Sequence, residues 1–335
     1  MALTNIKRGA FLMLAAAPLL TGRARAQSDA DPASSSTRPA LRVLLGSGDA
    51  AASSGGMFTY NGRFYRGSFT RDSGGRVVNL VDVEEYLYSV VPSEMAPRWP
   101  APALQAQAIC SRTYVLQRSD PRRTYDLVPS ELNQVYHGVA GESADATAAV
   151  DATAGQVLTF NGAFAQVAYS SCCGGHTEAS AEAWNTTPIP YLQGVVCTWC
   201  GDSPNYRWNA TLALEAIAAR YAAQVAPFGN LTSIAIAGRD DSGRARSFTL
   251  LGQHGSLTVR GSAFRMAVGP RTLRSLLVLD LQPSLGGDVA VYGGGLGHGV
   301  GLCQWGARGM ALQNRRAEEI LAQYFPQTKV DYLNR

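Results

Sequence analysis

Glu94 stands in Val90-Val91-Pro92-Ser93-Glu94-Met95, with Trp99 close behind. A carboxyl among Val, Pro and Met loses water, and lost water raises its pKa toward the range for proton donation near neutrality. A helical turn capped by Ser93, with Glu94 in its first turn, accounts for the same residues without chemistry. Paired-carboxylate catalysis needs a partner, and Glu84, Glu85, Glu178 and Glu182 have no distinguishing context. A second polar set, Gln105, Gln107 and Arg112, lies among small residues. Gln107 and Arg112 do not share a helix face neatly, and Arg112 as a structural ion-pair or carbonyl-binding residue is the plainer account.

Cys173-Gly-Gly-His176 and Cys197-Thr-Trp-Cys200 are two x₂-spaced donor pairs. Together Cys173, His176, Cys197 and Cys200 supply the tetrahedral donor set that a structural Zn²⁺ prefers. Such a site is closed, with no metal-bound water and no direct role in chemistry. Disulfides compete for the same thiols in an oxidising compartment, and the His in register favours zinc. Cys110, Cys172 and Cys303 are left without an assigned role. His298 lies in Gly293-Gly-Gly-Leu-Gly-His-Gly-Val-Gly301, a loop that lets a ligand approach the backbone closely. The loop has no G-x-G-x-x-G register and no G-K-[ST], so a phosphate-binding reading fails. Neither H-E-x-x-H nor G-x-S-x-G occurs, against zincin proteases and α/β-hydrolases.

Short strands over 41–45, 63–69 and 77–83 precede a helix that the spacing starts at Val83 and Pro92 ends. Pro100 and Pro102 open a stronger helix to about Gln117. Residues 143–154 read as a helix, and 156–160 and 163–171 as a hairpin around Asn161-Gly162. A helix over 212–225, strands over 231–237, 247–251, 256–260 and 276–281, and a C-terminal helix pair follow. Strands and helices mix without βαβ alternation, which makes the fold class α+β.

The 29 Lys and Arg exceed the 25 Asp and Glu by four. Lys7, Arg8, Arg23 and Arg25 supply that excess. The neutral remainder excludes a basic nucleic-acid binder, and 46% hydrophobic residues exclude a disordered chain. Residues 1–26 read as a signal peptide: a Lys7-Arg8 start, an apolar run to Leu20 and an Ala24-Arg25-Ala26 cleavage site. The apolar run is too short for a comfortable membrane span. Residues 27–39 read as a Ser/Pro/Asp-rich linker, and 40–335 as the folded unit. The expectation is an exported protein, periplasmic or extracellular, with no stable membrane insertion.

These segments together resemble the stage II sporulation protein D / LytB amidase-enhancer family. The likeness runs from Val83-Glu84-Glu85-Tyr86-Leu87 and Val91-Pro92-Ser93-Glu94-Met95 through Ala106–Tyr114. It resumes at Tyr169–Thr177, Trp184 and Pro190-Tyr191-Leu192, and closes with Gly297–Ala307 and Ile320–Pro326. The resemblance implies a catalytic unit, with room for two lobes around a glycan cleft. It implies cell-wall glycan as substrate and lytic transglycosylase activity with Glu94 as the catalytic acid. Arg112, Ser171, His298 and Gln304 would then bind or orient the glycan. It also leaves two other functions to weigh: a wall-binding enhancer of an amidase, and a zinc hydrolase, which a filled Cys/His shell disfavours. Cys110 and Cys172 stand where the family usually has a hydroxyl or small residue, and Cys303 interrupts the Gly-rich block.

Overall fold

The computed structural model describes residues 39–129 and 134–333. The signal-peptide reading of 1–26, and all of the linker except Pro39, fall outside the described residues. The α+β expectation holds: helices and several small antiparallel sheets alternate irregularly along the chain. Among the described residues, no helix is long and apolar enough to cross a membrane.

Strand Val77–Asp82 is central in the first sheet, pairing antiparallel with Ala40–Gly46 on one side and Ser68–Arg71 on the other. The expected strand over 63–69 is two strands, because Gly67 adopts φ +78 and turns the chain between them. Asp82 ends its strand and caps helix α1 (Val83–Glu94), accepting the Glu84 amide at 2.8 Å. Val83, Tyr86, Leu87, Val90 and Val91 bury one stripe of α1. Pro92 does not end this helix. It removes a single backbone donor, and α1 continues to Glu94, so the acidic residue sits on its last turn.

Helix α2 (Ala101–Arg118) is buried all round rather than on one side. Small residues such as Ala106, Ala108 and Ser111 let α1, α3 (Ala144–Ala152) and both C-terminal helices close on it. Gln107, Ser111 and Arg112 are therefore interior groups that must find partners inside the protein.

Asn161 and Gly162 take the two positive φ values of the expected hairpin turn. The returning strand stops at Phe164, and Tyr169–Ser170 instead pairs parallel with Leu302–Cys303. This pairing joins the middle of the chain to its C-terminal part. Residues between Trp208 and Val291 form a second hydrophobic core, distinct from the main one. The sheets Trp208–Leu212/Val289–Gly293/Val278–Pro283 and Leu231–Ile236/Ser247–Gly252/Ser256–Arg260 cover it. The helix expected over 212–225 is a strand end followed by two short helices broken at Tyr221.

Candidate functional site

Glu94 is half-buried at the end of α1. Burial raises its carboxyl pKa, against the pull of two hydrogen bonds, from the Gln304 side chain and from the Val135 backbone amide. Among the described residues no second carboxylate acts on it. The donors on Glu94 are neutral. Gln304 opens the helix Gln304–Leu312 and is itself buried. Its Nε2 also donates to Gln107 Oε1 at 3.4 Å, and Gln107 Nε2 donates to Ser111 Oγ at 3.0 Å. Gln134 Nε2 donates to the Tyr169 hydroxyl at 2.9 Å. Trp305, the residue after Gln304, meets Trp99 edge-on with ring centroids 5.1 Å apart.

Of the four residues expected to bind glycan, only Gln304 reaches Glu94. Arg112 is fully buried. Its Nε donates to Glu84 Oε1 at 2.9 Å, its Nη1 to the Gln156 carbonyl at 2.9 Å and its Nη2 to the other Glu84 oxygen. The Gly155 amide completes the Glu84 carboxylate at 3.0 Å. Arg112 thus ties α1, α2 and the end of α3 together and has no donor for a sugar. Arg112→Met is expected to lower stability by roughly 3–5 kcal/mol, because Glu84 is left as an uncompensated buried charge. Urea unfolding measures this, and a Glu84→Gln/Arg112→Met double variant should recover part of the loss. A full-stability Arg112→Met protein would contradict the assignment.

His298 is also engaged. Its Nδ1 accepts the Val300 amide at 3.0 Å and its ring bonds the Tyr169 backbone. Burial pushes its pKa down to about 4, so the imidazole is neutral at pH 7. With Nδ1 accepting the Val300 amide and the ring also bonded to the Tyr169 backbone, His298 ties the Gly-rich loop to the strand Tyr169–Ser170. Its ring lies 5.5 Å from that of exposed Trp184. Ser171 is half-buried, and its carbonyl accepts the Trp305 amide at 3.0 Å.

The expected metal set changes by one member. The thiols of Cys173, Cys197, Cys200 and Cys303 are all buried and lie within 4.8 Å of one another, a group able to hold a metal ion. His176 is outside it. The Gly174-Gly175 turn carries the chain into a bridge with Val196, and the imidazole Nδ1 lies 2.6 Å from the Thr177 carbonyl. Cys303 replaces it because the Tyr169–Ser170/Leu302–Cys303 pairing delivers it to the thiols. Backbone amides of Cys173 and Gly306 donate to its sulfur at 3.2 and 3.3 Å. All six cysteines are free thiols.

The stage II sporulation protein family model matches residues 71–160, which hold α1, α2 and Glu94. An uncharacterized protein of Brachyspira hyodysenteriae is 31% identical over 274 residues, covering 80% of this chain and 72% of that protein. Stage II sporulation protein D of Bacillus subtilis is 28% identical, over 76% of this chain and 75% of its own length. This chain belongs to the stage II sporulation protein D family. The amidase enhancer of Bacillus subtilis is 27% identical over 72% of this chain and 40% of that longer protein. A second model, a domain of unknown function (DUF8618), matches residues 200–301, the stretch that holds the second core.

In this family member the second core is joined to the first by charge. Arg244, fully buried, donates to the carbonyls of His176 at 2.9 Å and Cys173 at 2.7 Å, and its Nε lies 3.4 Å from Glu178. Burial nonetheless dominates at Glu178 and raises its pKa to about 8, with Asp240 as a hydrogen-bond partner that reinforces the proton. The folded protein therefore holds a proton that the unfolded chain releases near its ordinary value of 4.5. This contribution to stability is full below the ordinary value and is lost as pH rises toward 8. Thermal unfolding at pH 5 and pH 8.5 should show a smaller fall for Glu178→Gln than for the natural protein. Equal falls would remove Glu178 as the cause.

Val135 and Tyr169 were not legible as site residues. Val135 acts through its backbone, which carries no side-chain signature. Tyr169 was visible only as the start of a family block. Gln107 had a signal, its place among small residues on a helix.

Proposed function

We propose that the protein is a peptidoglycan lytic transglycosylase in which Glu94 acts alone as general acid and then base. The observation that carries this reading is a half-buried carboxyl, raised by burial and held by neutral donors. Protonated Glu94 gives its proton to the glycosidic oxygen as the bond from C1 of the muramic residue breaks. The resulting carboxylate takes the proton of the muramic 6-hydroxyl as O6 bonds to C1, which closes a 1,6-anhydro ring. The nucleophile belongs to the substrate, so the second carboxylate of ordinary glycosidases is not required. The Trp99–Trp305 pair offers aromatic surface to an uncharged sugar. The protein acts after export, at the cell wall, and residues 40–335 form the catalytic unit.

The four-thiol group fits zinc. Zn–S bonds of about 2.3 Å place sulfurs of a tetrahedron roughly 3.8 Å apart, and Cys173 and Cys200 are 3.7 Å apart. A filled thiolate shell leaves no open position, so the ion would lock the Tyr169–Ser170/Leu302–Cys303 junction and take no part in the reaction. A second reading, a wall-binding enhancer of an amidase, is favoured by the name of the Bacillus subtilis amidase enhancer. Incubation of the protein with intact and stem-stripped peptidoglycan, with products identified by mass, separates the two. Anhydro-muramyl ends support the enzyme, and their absence together with stimulation of an amidase supports the enhancer.

A further inference from the structure

We propose that Gln107 is a positioning residue that fixes the amide of Gln304 with its nitrogen toward Glu94. The two ends of a glutamine amide differ little in shape, so only its neighbours determine which end meets an acid. Gln304 Nε2 has two hydrogens. One goes to Glu94 and the other to Gln107 Oε1 at 3.4 Å. Gln107 presents that oxygen because its own Nε2 is committed to Ser111 Oγ at 3.0 Å. Ser111, having accepted this bond, turns its hydrogen to the Tyr169 hydroxyl, which also accepts from Gln134 at 2.9 Å. The donors of Gln304, Gln107 and Ser111 thus run in one direction, from Gln304 toward Tyr169.

Gln107, Ser111 and Gln134 are fully buried and Gln304 nearly so, which keeps bulk water from replacing a missing partner. Without Gln107, a flipped Gln304 would set its carbonyl oxygen against the Glu94 carboxylate. Two acceptors would then face each other, and the ionised form of Glu94 would lose its side-chain donor. The consequence for turnover rests on the proposed reaction; the placement of the amide does not.

The test is therefore a direct titration of Glu94 by carbon NMR in protein labelled at the glutamate carboxyl, with Glu94→Gln to assign the signal. Gln107→Met is expected to raise the Glu94 pKa by about one unit, the size of a lost hydrogen bond to a charged group. Gln304→Met should raise it equally, and the double variant no further, because both act through one bond. Ser111→Ala keeps the glutamine and removes what orients it, so a smaller rise in the same direction is expected even if Gln107→Met does not fold. An unchanged titration in Gln107→Met or in Ser111→Ala, or additive shifts in the double variant, would overturn the proposal. Failure of the natural protein to cleave glycan would sink the proposed activity and leave these shifts intact.

Discussion

Glu94→Gln is expected to lower formation of 1,6-anhydro-muramyl ends by roughly 10³-fold, within the range lost when a general acid is removed. Gln keeps the shape and can still meet Gln304, but it has no proton to give. The pH dependence follows from the direction of the shift. Burial raises the Glu94 pKa, so the acid stays protonated to higher pH than an exposed glutamate does. Activity should fall as pH rises through that raised value, and this fall should be absent from any residual activity of Glu94→Gln. Folding should survive the change, because a neutral amide avoids the burial cost that the carboxylate bears. Undiminished anhydro product in a folded Glu94→Gln protein would end the transglycosylase reading. If instead the variant stimulates an amidase as well as the natural protein does, and neither cleaves glycan, the enhancer reading stands.

Cys303→Ser should abolish metal binding, while His176→Ala should leave it intact. Elemental analysis of the natural protein is expected to give about one zinc per chain. Structural zinc contributes about 10–16 kcal/mol of apparent binding energy in small domains. That is comparable to the whole net stability of a typical fold, about 5–15 kcal/mol. Cys303→Ser, or a strong chelator, should therefore unfold the protein or lower its melting temperature by many degrees. His176→Ala should shift it little, since its ring is outside the thiol group. Zinc lost from His176→Ala but kept in Cys303→Ser would restore the Cys173/His176/Cys197/Cys200 set. A Cys197–Cys200 disulfide in metal-free, folded protein would replace zinc by oxidation.

The pattern of what was legible has a physical basis. Local signals worked where local forces decide. A Val-rich run after a Gly/Ser turn set Val77–Asp82 as a strand, Asn161-Gly162 set a turn, and the stripe from Val83 set α1. Pro92 misled because the cost of a proline inside a helix, about 3 kcal/mol, is outweighed by the packing of a helix already buried along one side. Arg112 was visible as a residue fit for either an ion pair or a ligand. Only the approach of Glu84, 28 positions earlier, made it the former.

By itself the sequence determined that an apolar segment carries one carboxylate, that two cysteine knuckles lie close together, and that the fold is mixed. The placement of charge along the chain was enough to exclude a basic nucleic-acid binder. Tertiary structure alone decided which groups meet. Glu94 acquires Gln304 from a helix over 200 residues later, and the thiols acquire Cys303 in place of nearby His176. Spacing along a chain ranks donors by proximity in sequence. Burial ranks them by which strand pairing and helix start deliver them, already desolvated, to the same point.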